Sequence, residues 1–251
     1  VIAFQDHSNN YCGTAIVGTV SGTSISFGSK TAFSSANATM MGMAYDSNSN
    51  KVVIGYTDGN NSSYGTAVVG TVSGTSISFG STVVFENRGG SGADHTSLAF
   101  DSNSNKVVFA YRYGSTGYGT AIVGTVSSTT ITFGTPADFH SSNTINITTA
   151  FDSVANKIII AFRAAADSDK GKFVEANVSG TSISFSTPVV FESGNIYGEI
   201  GSVYDTNADK TIVVYGDQGN STYGTASIIS SSSTNLTASN FAGFSDGAYT
   251  N

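Results

Sequence analysis

The chain has 251 residues, of which 10 are basic and 17 acidic, so its formal net charge at neutral pH is -7. This acidic balance makes nucleic acid and anionic lipid poor partners, and the lack of a long apolar run argues against insertion into a membrane. A single cysteine, Cys12, rules out an intrachain disulfide and a cysteine-based zinc site.

An apolar run, Val1 to Phe4, opens the chain and recurs after four turns of the form D-x-x-x-x-K. These turns occupy residues 46–51, 101–106, 152–157 and 205–210, and their aspartates are 55, 51 and 53 residues apart. Behind each run comes a segment of the type Y-G-T-A-[IV]-V-G-T-V, followed in the first four units by S-x-S-F or a variant of it. A regular repeat of this length predicts one continuous array.

Each repeat contains four short strand patterns separated by turns. The second strand, as in residues 158–162, is apolar at nearly every position, which indicates burial on both faces. We therefore predict an all-β fold, a β-propeller of four-stranded antiparallel blades, with about five blades of ~53 residues. The predicted units are approximately residues 1–35, 36–91, 92–144, 145–195 and 196–251, within a single domain spanning 1–251.

The blade count leaves two possibilities, because the sequence contains only four clear first strands. Either five blades close by sharing strands between the termini, or the natural protein continues beyond one or both ends. We favour the five-bladed ring. Since the chain opens inside a repeat, we expect it to be part of a larger protein.

The repeated turn first points to calcium, because Asp46, Asn48 and Asn50 match the first three oxygen positions of a calcium loop. The rest of such a loop is missing, since Lys51 takes the place of its glycine and Thr57 that of its final glutamate. Asp and Asn also favour tight turns by bonding to nearby backbone. We predict a hairpin turn, no metal site and no cofactor, with calcium as the alternative.

No nucleophile and base stand together in the sequence. It has no G-x-S-x-G in a strand–turn–helix setting, no tryptophan for the boxes of sialidase-type hydrolases, and only three arginines. We therefore predict no catalytic residues and a chain that is not an enzyme. The alternative is a secreted lectin-like or glycoside-processing propeller enzyme, with two carboxylates about 5 to 9 Å apart drawn from Asp58, Asp94, Glu192, Glu199 and Asp217.

Segments that differ between the repeats are the predicted recognition surface, because packing does not constrain them. In a propeller they emerge on one face, and here they are residues 6–11, 58–64, 112–118, 163–172, 217–223, 86–95, 140–144 and 192–197. Arg112 and Arg163 occupy equivalent positions there; such a pair suits a carbohydrate or carboxylate, and a charged loop edge is the alternative. The predicted ligand-binding residues are Arg112, Arg163, Tyr64, Tyr118, Tyr223, Asp94 and His95.

The unit AYDSNSNKVVIGYTDGNNSSYGTAVVGTVSGTSISFGSTVVF and its copies, followed by NLTASNFAGFSDGAYTN, resemble repeat regions of tail and other virion structural proteins of marine bacteriophages. In those proteins propeller-like repeats often precede a segment of the type L-T-x-x-N-[FY]-x-G, which Leu236, Thr237, Asn240, Phe241 and Gly243 fit. Similar repeats occur in bacterial surface proteins. The resemblance covers nearly the whole chain and supplies no catalytic residues.

This resemblance implies a structural or binding module displayed on a virion or on a cell surface, outside the cell. Its expected partners are a host-surface glycan or protein, met through the variable loops, and other subunits of the same virion or surface structure. A purely architectural repeat that assembles with its own copies is a further alternative, because an incomplete terminal blade leaves a strand edge open.

Overall fold

Antiparallel β-sheet is the dominant structure of the computed structural model, which describes residues 1–88 and 92–231. Within these residues there is no α-helix, and so no helix suited to cross a bilayer. A short 3-10 turn at Gln218–Asn220 is capped by the Asp217 side chain. The all-β prediction is confirmed.

The strands form five successive units. The first unit contains β1 (Ile2–Asp6), β2 (Cys12–Ile16), β3 (Gly18–Ser21), β4 (Ser24–Phe27) and the start of β5 (Thr31–Asp46). The second contains the rest of β5, β6 (Lys51–Asp58), β7 (Tyr64–Ser73), β8 (Ser76–Phe79) and β9 (Val83–Glu86). The third contains β10 (Ala93–Asp101), β11 (Lys106–Tyr113), β12 (Gly119–Ser127), β13 (Thr130–Phe133) and β14 (Ala137–His140). The fourth contains β15 (Thr144–Asp152), β16 (Lys157–Ala164), β17 (Lys170–Ser179), β18 (Ser182–Phe185) and the start of β19 (Val189–Asp205). The fifth contains the rest of β19, β20 (Lys210–Asp217) and β21 (Tyr223–Ile229).

Within a unit the outermost position of the sheet is filled by two short strands instead of one continuous strand. Strands β8 and β9 pair with the two halves of β7, and β13 and β14 pair with β12 in the same way. The early part of β5 is the outer strand on β2, whereas its later part is the inner strand on β6. Strand β19 links the fourth and fifth units in the same manner.

The described residues do not form the five complete four-stranded blades that the sequence predicts. In the second, third and fourth units all four strand positions of the sheet are filled. The first unit has no strand on the inner side of β1, and the fifth has three strands within the described residues. The predicted segment at residues 236–243 lies outside the described residues.

The D-x-x-x-x-K segments are hairpin turns, as predicted. In the third unit the Asp101 carboxylate accepts backbone N–H bonds from Asn103 at 2.9 Å and Ser104 at 3.1 Å, and it accepts the Ser104 hydroxyl at 2.7 Å. Asn105 then adopts a left-handed conformation with φ 54°, which asparagine tolerates better than most residues. The aspartates of the other turns, Asp46, Asp152 and Asp205, bond to the backbone in the same way.

The hydrophobic cores lie between neighbouring units. The described residues form four buried apolar clusters, and each cluster joins two consecutive units. Between the second and third units, Val53 and Phe85 pack with Leu98, Phe109 and Ile131. The second strands of units two to four are thus covered on both faces, which confirms the burial predicted from their apolar runs.

A glycine near the start of the third strand lies beneath a phenylalanine of the outer strand. A Cβ atom on Gly65 would come within 2.6 Å of the Phe85 ring. Gly224, the equivalent glycine of the fifth unit, has no described atom within 4 Å of the place of a Cβ. The same close approach recurs in three other units, at Gly13 with Phe33, Gly119 with Phe139 and Gly171 with Phe191.

We expect Gly65→Ala to lower the free energy of unfolding by about 1–3 kcal/mol, because the new methyl group overpacks against Phe85. The matched control, Gly224→Ala, should be neutral or stabilising by about 0.5 kcal/mol, because alanine loses less backbone entropy than glycine on folding. Urea unfolding measures both variants. Equal destabilisation of the two would show that the ring contact is not what requires glycine.

Candidate functional site

The loops between second and third strands interlock with the connections between units. The backbone N–H of Ala38 donates to the carbonyl of Tyr11 at 3.2 Å, and that of Gly59 donates to the carbonyl of Asn37 at 2.8 Å. A connection is thus held by the loop before it and the loop after it. These loops therefore lie at one end of the sheets, and the pattern recurs in the bonds Gly114 to Gly92, Thr144 to Gly117, Ala165 to Asn143 and Ile196 to Asp169.

Near this loop face the inner strand of four units is interrupted by a bulge. Strands β5, β10, β15 and β19 each shift register against the strand that follows. The bulges contain left-handed residues: Met40 with φ 47°, His95 with 48°, Asn146 with 50° and Gly198 with 72°. A left-handed conformation costs a non-glycine residue about 1–2 kcal/mol, and such strain and bulges are concentrated at functional sites.

The four bulged strands together line an open pocket of about 190 Å³, which we call the central cavity. The buried Thr96 hydroxyl has no hydrogen-bond partner among the described residues. Leaving a buried hydroxyl unpaired costs about 1–3 kcal/mol. Every bulged strand contributes to the lining, which is formed by Met40, Met41, His95, Thr96, Ile147 and Glu199.

A larger cavity of about 380 Å³ opens between the second and third units. Met40 lines both cavities, and Asp94 of the larger one directly precedes His95 of the central one. We call the two together the cleft. Besides Met40 and Asp94, the larger part of the cleft is lined by small and hydroxyl-bearing residues, namely Thr39, Thr57, Ser62, Ser63, Gly92, Ala93 and Gly114.

Two of the five candidate carboxylates lie at the cleft. Asp94 lines its larger part and Glu199 its central part. Asp58, Glu192 and Asp217 line neither part of the cleft, and each accepts a backbone N–H from two residues further along, at 2.7 to 3.1 Å. Asp94 likewise accepts the backbone N–H of His95, at 3.1 Å. Glu199 makes no hydrogen bond and no ion pair within residues 1–88 and 92–231, so its carboxylate is available to a ligand.

The two arginines predicted to bind a ligand are held in separate ion pairs. The Nη1 atom of Arg112 lies 3.5 Å from Oδ2 of Asp94, and its Nε donates to Asn143 at 3.2 Å. Arg163 donates from Nε to Asp169 at 2.8 Å. Arg163 lines neither part of the cleft, whereas Arg112 is joined to the cleft by its ion pair with Asp94.

The predicted tyrosines stand at or beside the starts of third strands on the loop face. Tyr223 is exposed, and Tyr64 and Tyr118 are half-buried. Cys12 takes the place of Tyr64 in the first unit, because Asp6 pairs with Cys12 as Asp58 pairs with Tyr64. No tyrosine lines either part of the cleft.

The sequence analysis named Asp94 and His95 as ligand-binding residues and Glu199 as a candidate carboxylate of the enzyme alternative, but it did not name the lining residues Met40, Met41, Thr96 and Ile147. The bulges carry four different residue types, so no repeated letter marks them. The one available signal was that Met40, His95 and Asn146 each stand six residues before the aspartate of the following turn.

A buried ionic group between the second and third units is structural. Glu86 is fully buried and accepts bonds from Arg88 Nη2 at 2.7 Å and from the Tyr111 hydroxyl at 2.8 Å. The Arg88 guanidinium lies 4.4 Å from the centre of the Tyr113 ring. With the carboxylate paired in this way, Glu86 fastens an outer strand to the next unit and is not available to a ligand.

No protein-family model matches the chain, and no curated protein matches it closely. Among solved structures, the exo-beta-1,3-galactanase of Phanerochaete chrysosporium, determined with beta-1,3-galactotriose, aligns with a TM-score of 0.55 at 10% identity, over 77% of this chain and 47% of that one. A chain of the nidogen–laminin complex aligns with a TM-score of 0.50 at 13% identity, over 90% and 72%. An alpha-L-arabinofuranosidase of Podospora anserina aligns with a TM-score of 0.45 at 8% identity, over 76% and 63%.

The likeness to the galactanase shows a β-propeller-like fold, and the chain spans about half of the length of that protein. It contradicts the prediction that the chain is not an enzyme, because the same fold carries a glycoside hydrolase. The prediction was based on missing sequence motifs. Glycoside hydrolysis needs only two suitably spaced carboxylates, which distant parts of a sequence supply without any local motif.

Buried tyrosines predict a loss of stability in alkali. Burial raises the pKa of the Tyr111 phenol well above its usual value, and burial raises the pKa of Tyr215 to about 12. Because the folded values exceed the unfolded value, we expect full stability below pH ~10 and a decline as the pH rises from there. Urea unfolding against pH measures this decline. Tyr215→Phe should make it shallower, and the exposed Tyr223→Phe should not; equal slopes for both would contradict the assignment.

Proposed function

We propose that the chain binds a carbohydrate in the cleft. The observation that carries this proposal is the convergence of four bulged inner strands on one cavity, lined by Met40, His95, Thr96 and Glu199. The repeats keep their packing residues and differ at these bulges. A site of this kind, with a rigid scaffold and varied residues at one end, is typical of recognition.

The chemistry of the cleft matches a neutral, hydroxyl-rich ligand. The Asp94 and Glu199 carboxylates would accept hydrogen bonds from sugar hydroxyls. Met40, Met41 and Ile147 present apolar surface to the C–H faces of a sugar ring. No lysine or arginine of the described residues lines the cleft, and Arg112 at its edge is paired with Asp94.

Hydrolysis of a glycosidic bond is a second candidate function of the same cleft. Asp94 and Glu199 come from two different inner strands and face adjoining cavities. One carboxyl group would protonate the leaving oxygen while the other attacks the sugar or activates water, with the stereochemical outcome set by their separation. The likeness to the exo-beta-1,3-galactanase supports including this reaction.

We also propose that the units are blades of a five-bladed propeller displayed on a virion or cell surface. The repeat pattern and its resemblance to phage virion repeats support this placement. There the natural ligand would be a host-surface glycan or a glycosylated protein, and neighbouring subunits of the surface structure would be further partners.

Calorimetry and reducing-end assays with beta-1,3-galactotriose and a panel of neutral oligosaccharides test the proposal. We expect at least one glycan to bind, and Glu199→Gln to weaken it about 10-fold to 100-fold through loss of a charge-assisted hydrogen bond. Glu175→Gln, a matched change on β17 outside the cleft, should leave the affinity unchanged.

The two functions give different results in these assays. Release of reducing ends by the wild type that is lost in Asp94→Asn and in Glu199→Gln even at glycan concentrations that saturate each variant would establish hydrolysis. Binding without release would establish recognition alone. If no glycan binds the wild-type chain, or if Glu175→Gln weakens binding as much as Glu199→Gln, the cleft is not a carbohydrate site.

A further inference from the structure

The charges at the cleft are arranged so that its one neighbouring arginine is already compensated. Two carboxylates line the cleft, those of Asp94 and Glu199. The guanidinium of Arg112 stands at its edge, with Nη1 3.5 Å from Oδ2 of Asp94. With the charges of Asp94 and Arg112 balanced, the carboxylate of Glu199 leaves the cleft with a net negative charge.

The ion pair is fixed in place by the strand register and by two further bonds. Asp94 on β10 and Arg112 on β11 are cross-strand neighbours, directly before the bulge in β10. The second oxygen of the carboxylate, Oδ1 of Asp94, accepts the backbone N–H of His95 at 3.1 Å. The Nε atom of Arg112 donates to Asn143 at 3.2 Å. Both partners are therefore held at the edge of the cleft by contacts besides their own.

The fourth unit contains an equivalent arginine without this arrangement. Arg163 occupies the position of Arg112, but its cross-strand neighbour is Ile145. It donates instead to Asp169, in the loop of its own unit, at 2.8 Å. In the second and fifth units the same pair of positions carries no charged residue. Of these four units, only the third places an acid opposite a base, and it does so where the pair borders the cleft.

We propose that Asp94 makes the cleft selective for neutral glycans over glycans that carry carboxylates, by compensating the charge of Arg112. This inference rests on the proposed binding of a carbohydrate. A uronic acid that enters the cleft meets the negative charges of Asp94 and Glu199, and the guanidinium that would attract it is already paired. Selectivity of this kind comes from repulsion of the wrong ligand as much as from contacts with the right one.

The proposal makes Arg112 a latent carboxylate-binding group. Without the charge of Asp94, the guanidinium becomes an uncompensated cation at the same edge of the cleft. Arginine binds carboxylates well, because its N–H groups match the two carboxylate oxygens. Removal of the acid and removal of the base should therefore shift the selectivity in opposite directions.

Calorimetry with a matched pair of glycans tests this expectation at neutral pH and low salt. The pair is a neutral glycan, with beta-1,3-galactotriose tested first and the rest of the neutral panel after it, and the same glycan oxidised at its C6 hydroxyls to the uronic acid. The measured quantity is the affinity for the neutral form divided by the affinity for the oxidised form. We expect this ratio to be about 10 or more for the wild type, because like charges repel across the cleft.

Two substitutions that break the same ion pair should have opposite effects. Asp94→Asn should lower the ratio about 10-fold, whereas Arg112→Gln should raise it about 10-fold, because each removes one charge of opposite sign. The double variant should return close to the wild-type ratio. Exposed ion pairs contribute little to stability, and the two side chains are 27% and 35% exposed, so all three variants should fold. High salt should reduce both shifts by screening the charges.

Arg163→Gln is the matched control, since it removes an arginine at the equivalent position, outside the cleft, and should leave the ratio unchanged. If Asp94→Asn and Arg112→Gln shift the ratio in the same direction or not at all, or if Arg163→Gln shifts it as far as Arg112→Gln, the role of Asp94 is refuted while carbohydrate binding stands. Equal affinity of the wild type for the two forms would refute it as well. If the wild type and every variant bind neither form of any glycan, the cleft is not a carbohydrate site and both proposals fail.

Discussion

Packing of one small sheet against the next is the constraint on which the rest of the structure depends. None of the units contains a core of its own, and each apolar cluster is shared by two units. Where a unit presents glycine, as at Gly55, its neighbour supplies Phe109; where it presents alanine, as at Ala161, its neighbour supplies Val213. Since protein interiors are close-packed, this exchange of volume sets the approach of the sheets.

The same packing creates the candidate site. The inner strands are brought side by side and joined by hydroxyl pairs, such as Ser97 with Thr149 at 2.9 Å. Close to the loop face each of these four strands bulges, and residues of the four bulges, among them Met40, His95, Ile147 and Glu199, line a common space. The scaffold therefore supplies the cavity, and the residues that differ between units supply its chemistry.

The units have diverged through matched changes across their interfaces. Glu86 meets Tyr111 between the second and third units, and Glu192 meets Tyr215 at 3.1 Å between the fourth and fifth. Between the third and fourth units the glutamate position is His140, whose ring lies 4.9 Å from Phe162. A buried carboxylate requires a hydrogen-bond donor, whereas phenylalanine offers none, so the two positions change together.

The sequence by itself determined the strands, their order and their turns, because these follow from local chemistry. Apolar runs such as residues 158–162 predicted strands buried on both faces, and the Asp101 turn was predicted from side-chain bonds to neighbouring backbone. The tertiary structure alone decided that Glu199 and Asp94 share a cleft while Arg163 lies apart from it. Residues that are far apart in sequence come together only after the packing of the sheets has fixed the distances between units. No local sequence pattern predicts those distances.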